Sequence, residues 1–263
     1  MLISVVMITY KHERFIREAI EGVLLQKGEF DIELIIANDN SPDKTDQIIS
    51  QIINNHSRGK IIQYYNHNEN IGMINNFLFA LQLSKGKYVA LCEDDDYWTD
   101  PMKLKKQVDF LEQNKEFSFC CHAVNVKNEI PGYTYSYPVP DKNKLLFHDV
   151  VKRHYIATCS VMYRAEMLPN PLPKFIKYSL MGDLPLELIL ADRGPVYYFN
   201  EPMAVYRKNT SGITRDKVQI RRGRQGYIYL YKRLLLHFFP SQFLILTFVL
   251  IKTYLGYIKD KFR

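Results

Sequence analysis

With 263 residues, 47% of them hydrophobic, the chain is long enough for one sizeable α/β domain with an appendage, or at most two small domains. Its formal net charge of +7 points to an anionic partner, which nucleic acid, a membrane surface or a phosphorylated small molecule would each supply. Four cysteines, Cys92, Cys120, Cys121 and Cys159, lack regular spacing and include an adjacent pair, which argues against a disulfide framework and suits a reducing compartment.

The opening "LISVVMIT" is a β-branched run of the length of a buried parallel strand, and with no basic region before it, it reads as a strand and not as a signal peptide. "ERFIREAIEGVLLQK" follows with apolar residues at helical spacing (Phe15, Ile16, Ala19, Ile20, Val23, Leu24). "IELIIAN" is a second strand. "SPDKTDQIISQIINN" is predicted as a helix with Ser41 in the capping position and Pro42 in its first turn. "GKIIQYYN" reads as a third strand, "NIGMINNFLFALQLSKG" as a helix closing at Gly86, and "KYVALCE" as a fourth strand. Four βα steps predict an open, mostly parallel, doubly wound sheet whose ligands bind outside the carboxyl ends of the strands.

Those ends carry the residues with chemistry. Thr9, Tyr10 and Lys11 close the first strand, Asp39 and Asn40 the second, and Glu93, Asp94, Asp95 and Asp96 the fourth. Crowded carboxylates repel one another unless a cation neutralises them, and hard divalent cations favour oxygen ligands. The plain alternative is a solvated acidic turn before the helix that starts near Asp100 and Pro101. No glycine-rich dinucleotide or P-loop motif follows the first strand, so a phosphate must be held by other means, the obvious one being a metal at the acids.

Beyond the acids, "FSFCCHAVNV" and "ATCSVMYR" read as strands around an exposed loop, "IPGYTYSYPVPDKNK", suited to touching an acceptor. Neighbours on a strand point to opposite faces, so Cys120, Cys121 and His122 do not converge on a zinc ion. Asp183 precedes a helix, "LPLELILADRG", where an N-cap is as common a use as catalysis. From Thr214 the chain mixes bases, including Arg221, Arg222 and Arg224, with long apolar and aromatic runs. Two interfacial helices on an anionic membrane, helices packed on the domain or on a second subunit, and a single spanning helix over Leu234–Ile251 are the three readings, the first leading. The basic cluster runs into an apolar segment and not a stacking platform, so nucleic acid is not expected as a partner.

Taken together, "SVVMITYKHERFIREAIEGVLLQ", "IIANDNSPDKTDQII", "NENIGMINNFLFALQLSKGKYVALCEDDDYWTDPMKLKKQVDFL", "GDLPLELILADRG" and "PMAVYRKNTSG" resemble the inverting family 2 glycosyltransferases of GT-A fold, bacterial surface-polysaccharide type, over roughly residues 2–212. The resemblance implies a GT-A domain over 1–213, with a nucleotide-sugar half to about residue 100 and an acceptor half over 101–213, and a helical tail over 214–263. It implies that Asp39 contacts the nucleotide base, that Thr9, Tyr10 and Glu13 lie beside the nucleoside, and that Asp94 is near the ribose. Asp95 would bind a divalent Mn2+ or Mg2+ with Asp96 near the metal or donor sugar, although Asp94-x-Asp96 fits the same motif one residue along. Asp183 falls on the catalytic base, and Arg207, with Lys208, on the diphosphate. The chain departs from the family pattern at Lys11, Asn38 and Asn209, where many relatives carry Asn, an acid and His.

The implied activity is transfer of a sugar from a nucleotide donor, UDP by inheritance, to a glycan or lipid-linked acceptor, in the cytoplasm at the inner membrane face. A homodimer is the alternative use of the apolar tail. A non-catalytic glycan-binding scaffold and a nucleotidyltransferase are the competing functions.

Overall fold

The computed structural model describes residues 1–130, 132–152, 155–178, 182–209, 217–238 and 240–261, with side chains except at 178, 217–224 and 260–261. The onset of the tail at Thr214, the end of the "NTSG" loop and the side chains of Arg221, Arg222 and Arg224 lie outside the described residues.

The chain alternates as expected at first: β1 (Leu2–Thr9), α1 (Ile16–Leu24), β2 (Asp31–Asn38), α2 (Thr45–Asn55), β3 (Ile62–Asn66), α3 (Met73–Gln82) and β4 (Tyr88–Leu91). A two-residue strand β5 (Tyr97–Trp98) then leads into α4 (Lys103–Gln113), β6 (Phe119–Asn128), β7 (Tyr133–Ser136), β8 (Lys144–Leu145), α5 (Phe147–Lys152) and β9 (Met162–Arg164). The remainder is α6 (Asp183–Arg193), β10 (Val196–Lys208), α7 (Lys217–His237) and α8 (Phe243–Lys261).

Among the described residues one sheet runs in the order β3-β2-β1-β4-β9-β6-β10-β5, with β7 beside β6 and β8 beside β10. β1, β2, β3 and β4 pair in parallel. β9 is antiparallel to both β4 and β6, and β6 is parallel to β10, so β6 and β10 point the same way as the first four strands. The carboxyl ends of six strands therefore open on one edge. The segment Ile130–Lys144, expected as a loop, forms a hairpin in part: Tyr133–Ser136 pairs antiparallel with β6 while keeping its side chains largely exposed.

The sheet divides the core in two. Ile3, Val5, Met7, Leu34 and Ile36 face α1, α2 and α4, whereas Val6, Ile35, Val89 and Phe119 face α3, α5 and α6. Cys120 and Cys121 lie in opposite cores, as strand alternation requires. Leu230, Tyr231, Leu234 and Phe238 of α7 and Leu246 and Val249 of α8 bury themselves in the second core. No helix among the described residues is long and apolar enough to cross a membrane. The spanning helix considered for Leu234–Ile251 does not form, because Pro240 and Ser241 stand in the break between α7 and α8.

Candidate active site

The edge where the six carboxyl ends open is built from short polar ties. Ser41 Oγ donates to Asn38 Oδ1 (2.6 Å) and accepts the Lys11 N–H (3.0 Å), joining the ends of β1 and β2. That engagement removes Ser41 from the cap expected of it: α2 starts at Thr45, and Asp43 Oδ1 takes its N–H (3.1 Å) and hydroxyl (2.6 Å). Lys11 and Asn40 hold φ of 63° and 57°, left-handed conformations that asparagine tolerates better than lysine.

Asp39 is buried, and its carboxylate accepts the N–H groups of Ile71 (2.7 Å) and Gly72 (2.9 Å), so it fixes the loop ahead of α3. Gly72 allows that loop its φ of 86°. Thr9 is buried with Oγ1 unpartnered, and Tyr10 is exposed beside it. Glu13 Oε2 accepts the Lys44 N–H (2.8 Å), and the Glu13 N–H donates to Asp43 Oδ2 (3.1 Å).

Glu93 to Asp96 form the turn between β4 and β5. One ligand atom each from Glu93, Asp95 and Asp96 lies within 4.8 Å of the other two, and the same holds for His12, Asp94 and Asp95. Asp94 Oδ2 and Asp96 Oδ2 are buried without hydrogen-bond partners. Burial, and after it the acidic neighbours, push Glu93 and Asp96 well above the usual carboxylate range. Burial and then Asp94 push Asp95 up to about 6, against His12 and Asn209.

His12 Nδ1 lies 2.7 Å from Asp94 Oδ1. Burial opposes a charge on His12, but Asp94, with Asp95 and Asp43 behind it, prevails and holds the imidazole up to about 9. Hard divalent cations favour oxygen ligands, so the all-oxygen set of Glu93, Asp95 and Asp96 fits such a cation better than the set that includes the imidazole.

Arg207, at the end of β10, clasps this turn. Its backbone N–H donates to Asp96 Oδ1 (2.8 Å) and Nη1 to the Asp95 carbonyl (2.9 Å). Nε donates to Glu129 Oε1 (3.0 Å), Nη2 pairs with Glu18, and the guanidinium lies 4.4 Å from the Tyr97 ring centre. With a side chain only 2% exposed and two carboxylates as partners, Arg207 holds the acidic turn, and three of its five side-chain N–H groups are engaged there. Asn209, where histidine was expected, donates Nδ2 to Asp95 Oδ2 (2.9 Å). Lys208 Nζ donates to Tyr135 Oη (2.7 Å).

Asp183 opens α6 on the same edge. Its Oδ1 accepts the Leu184 N–H (2.8 Å), Oδ2 receives Thr158 Oγ1 (3.3 Å), and its charge is felt at Glu93. Behind it, Trp98 Nε1 donates to the Cys159 carbonyl (2.8 Å). Lys103 Nζ sits 3.9 Å above the Trp98 ring centre and donates to Gln107 Oε1 (2.7 Å), and Gln107 Nε2 donates to the Ser160 carbonyl (2.9 Å). This buried network ties β5 to the turn that carries Thr158.

His12, Glu18, Glu129 and the Trp98–Lys103–Gln107 network were not picked out from the sequence. His12 alone had a local signal there, since it lies just beyond the three residues expected to close β1.

A mixed sheet that gathers six carboxyl ends and an acidic turn on one edge, flanked by helices, is the architecture of the GT-A fold. The model of glycosyl transferase family 2 matches residues 4–169, and the chain belongs to that family. An uncharacterized Mycobacterium tuberculosis protein is 36% identical over 220 residues, 83% of this chain and 62% of that protein, so the chain spans less than two thirds of that relative. TuaG of Bacillus subtilis, assigned by its name to teichuronic acid biosynthesis as a glycosyltransferase, is 28% identical over 223 residues, 82% of each chain. Among solved structures, the mannosyltransferase PcManGT of Pyrobaculum calidifontis with GDP-Man and Mn2+ superposes at a TM-score of 0.68 with 14% identity, covering 96% of this chain and 72% of that one. S. aureus TarS 1-349 with UDP-GlcNAc gives 0.64 and 17%, covering 99% and 81%. At such identity these two likenesses are of fold.

Proposed function

We propose that the chain is an inverting glycosyltransferase that moves a sugar from a nucleotide-sugar, a UDP-sugar first, to a hydroxyl of a glycan or lipid-linked acceptor in cell-surface polysaccharide assembly. The observation that carries this reading is the acidic turn of Glu93 to Asp96, clasped by Arg207, with Asp183 near enough on the same edge for its charge to be felt at Glu93. The UDP-GlcNAc and GDP-Man bound by the structural neighbours, and the name of the B. subtilis relative, support the donor class and the pathway.

In this reading Asp183 accepts the proton of the attacking acceptor hydroxyl, whose oxygen forms the new bond to the anomeric carbon as the bond to the diphosphate breaks and its electrons leave with the nucleotide. Asp95 and Asp96, with Glu93, would hold Mn2+ or Mg2+, which when bound supplies Lewis-acid stabilisation of the departing phosphate. Asp39 would offer a nucleotide base the lone pairs left after its two backbone bonds, with Thr9, Tyr10, Glu13 and Asp94 serving the nucleoside in this reading. Calorimetric titration with UDP, GDP and dTDP, with and without Mn2+, tests the donor site. One nucleotide binds in a metal-dependent manner, Asp95→Ala weakens it at least about tenfold, and Asp183→Asn leaves it intact while lowering transfer by roughly 10²–10⁴. Failure of all three nucleotides to bind refutes the reading.

α8 supports a membrane surface as the place of action. Leu244, Phe248, Ile251, Leu255 and Ile258 stand exposed at spacings of four and three, one apolar stripe on the helix. Lys252 and Lys259 on the same helix add positive charge suited to anionic lipid.

A further inference from the structure

A two-part cavity stands at the far end of α6 from Asp183. Asp192 and Arg193 close that helix, roughly 14–15 Å along its axis from Asp183 at the helical rise, so an occupant there stands clear of the reacting groups. Ile189, Asp192 and Arg193 share one face of α6 and, with Ser241, line an inner hollow of about 180 Å³. Arg233, Leu236 and His237 share one face of α7 and, with the segment 171–175, line a wider groove of about 610 Å³. Pro169 and His237 border both, so the hollow and the groove adjoin. The His237 ring meets that of Phe175 edge-on, with 5.3 Å between centres.

The lining divides by chemistry. Leu172, Phe175 and Leu236 supply apolar surface, and Leu236 is 77% exposed. Lys174, Arg193 and Arg233 supply three cations, and among the described residues no carboxylate forms an ion pair with any of them. The one acid of the lining, Asp192, already accepts Gln242 Nε2 at Oδ1 (2.9 Å). Unpaired cations beside an apolar trough are complementary to an anion carried on a hydrocarbon chain. A free phosphate would leave the apolar half unused, and an apolar peptide would leave the cations unused.

We propose that this groove binds one anionic phospholipid, its phosphate held among Lys174, Arg193 and Arg233 and an acyl chain laid along Leu172, Phe175 and Leu236. The proposal rests on, and deepens, the reading of a membrane surface as the place of action: the stripe on α8 needs only a bilayer, whereas the groove recognises a single molecule.

The test uses the full chain and ligand-observed NMR. The probes are dihexanoyl phosphatidylglycerol and dihexanoyl phosphatidylcholine, both below their micellar concentrations, and inorganic phosphate. Lys174→Glu with Arg233→Glu reverses the charge, Leu236→Asp spoils the apolar wall, and Leu244→Asp with Phe248→Asp removes the α8 stripe. All five positions are exposed, so the variants keep the wild-type melting curve. Phosphatidylglycerol binds the wild type, the charge reversal weakens it about tenfold or more, and phosphatidylcholine binds at least about tenfold more weakly. Leu236→Asp weakens phosphatidylglycerol about fivefold, and the α8 pair stays within about threefold of the wild type. No binding to the wild type, equal affinity for the two lipids, insensitivity to either groove variant, loss in the α8 pair, or phosphate binding as tightly as the lipid overturns the proposal. Failure of phosphatidylglycerol vesicles to capture the wild type instead strikes the surface reading of α8, and the titrations with monomeric lipid still decide the groove.

Discussion

Lys11 and Lys103 both pay for their positions in ways that can be measured. Lys11 holds a left-handed φ of 63° at the mouth of the crevice with its N–H bound to Ser41 Oγ, a bond that any residue type keeps. Lys11→Asn therefore stabilises the chain by about 1 kcal/mol in urea unfolding, since asparagine visits this conformation readily. Lys103 is fully buried, and burial pulls its ammonium down to about 8 from the usual 10.5. Between those values the unfolded chain binds the extra proton, so folding stability rises with pH over that window by roughly 3 kcal/mol. Lys103→Met lacks this dependence. The stability of the wild type, relative to the variant, rises by about that amount from pH 8 to 10.5, while a constant difference would show that Lys103 keeps an ordinary affinity for its proton. The acids of the site announced themselves in sequence as a run of four, and Asp183 came through the family resemblance. Arg207's partners did not, because Glu18 and Glu129 lie 189 and 78 residues from it.

Elements long enough to carry a period were legible. β1, β2 and β4 are continuous apolar runs, and α1 and α3 show helical spacing, so their order and the common edge followed from the sequence. β5 and β8 have two residues each, too few for any pattern, and exist because β10 pairs with them, whereas β9 is the end of the "ATCSVMYR" run read as a strand. β7 escaped for a different reason, its alternate side chains being exposed on both faces. Short elements of this kind are positioned by their neighbours, and β5 is the clearest case. A methyl group on Gly22 of α1 would stand 2.9 Å from the backbone N and O of Trp98, so helix and strand touch at a glycine. Gly22→Ala forces them apart and destabilises the fold by about 1–3 kcal/mol, measurable by denaturant titration. An unchanged midpoint would mean that β5 is free to shift.

For the molecule as a whole, the apolar tail has two faces with separate fates. One joins the core through Leu230, Leu234, Leu246 and Val249, and the other leaves Leu244 83% exposed among its stripe. The inner face makes the tail part of the fold, and the outer face is open to a surface. Co-sedimentation with phosphatidylglycerol vesicles at low salt captures the wild type, whereas Leu244→Asp with Phe248→Asp releases it about tenfold or more without altering the melting curve. Vesicle-independent dimerisation removed by the same pair would assign the stripe to a second copy instead. The clasp made by Arg207 bears on how such a molecule comes into being. Synthesis delivers Glu18 and the four acids early and Arg207 late, so the emerging polypeptide carries a self-repelling acidic turn until most of its length has left the ribosome. Order at the acidic turn is thereby deferred until Arg207 has emerged, so the site is among the last parts of the chain that synthesis can complete.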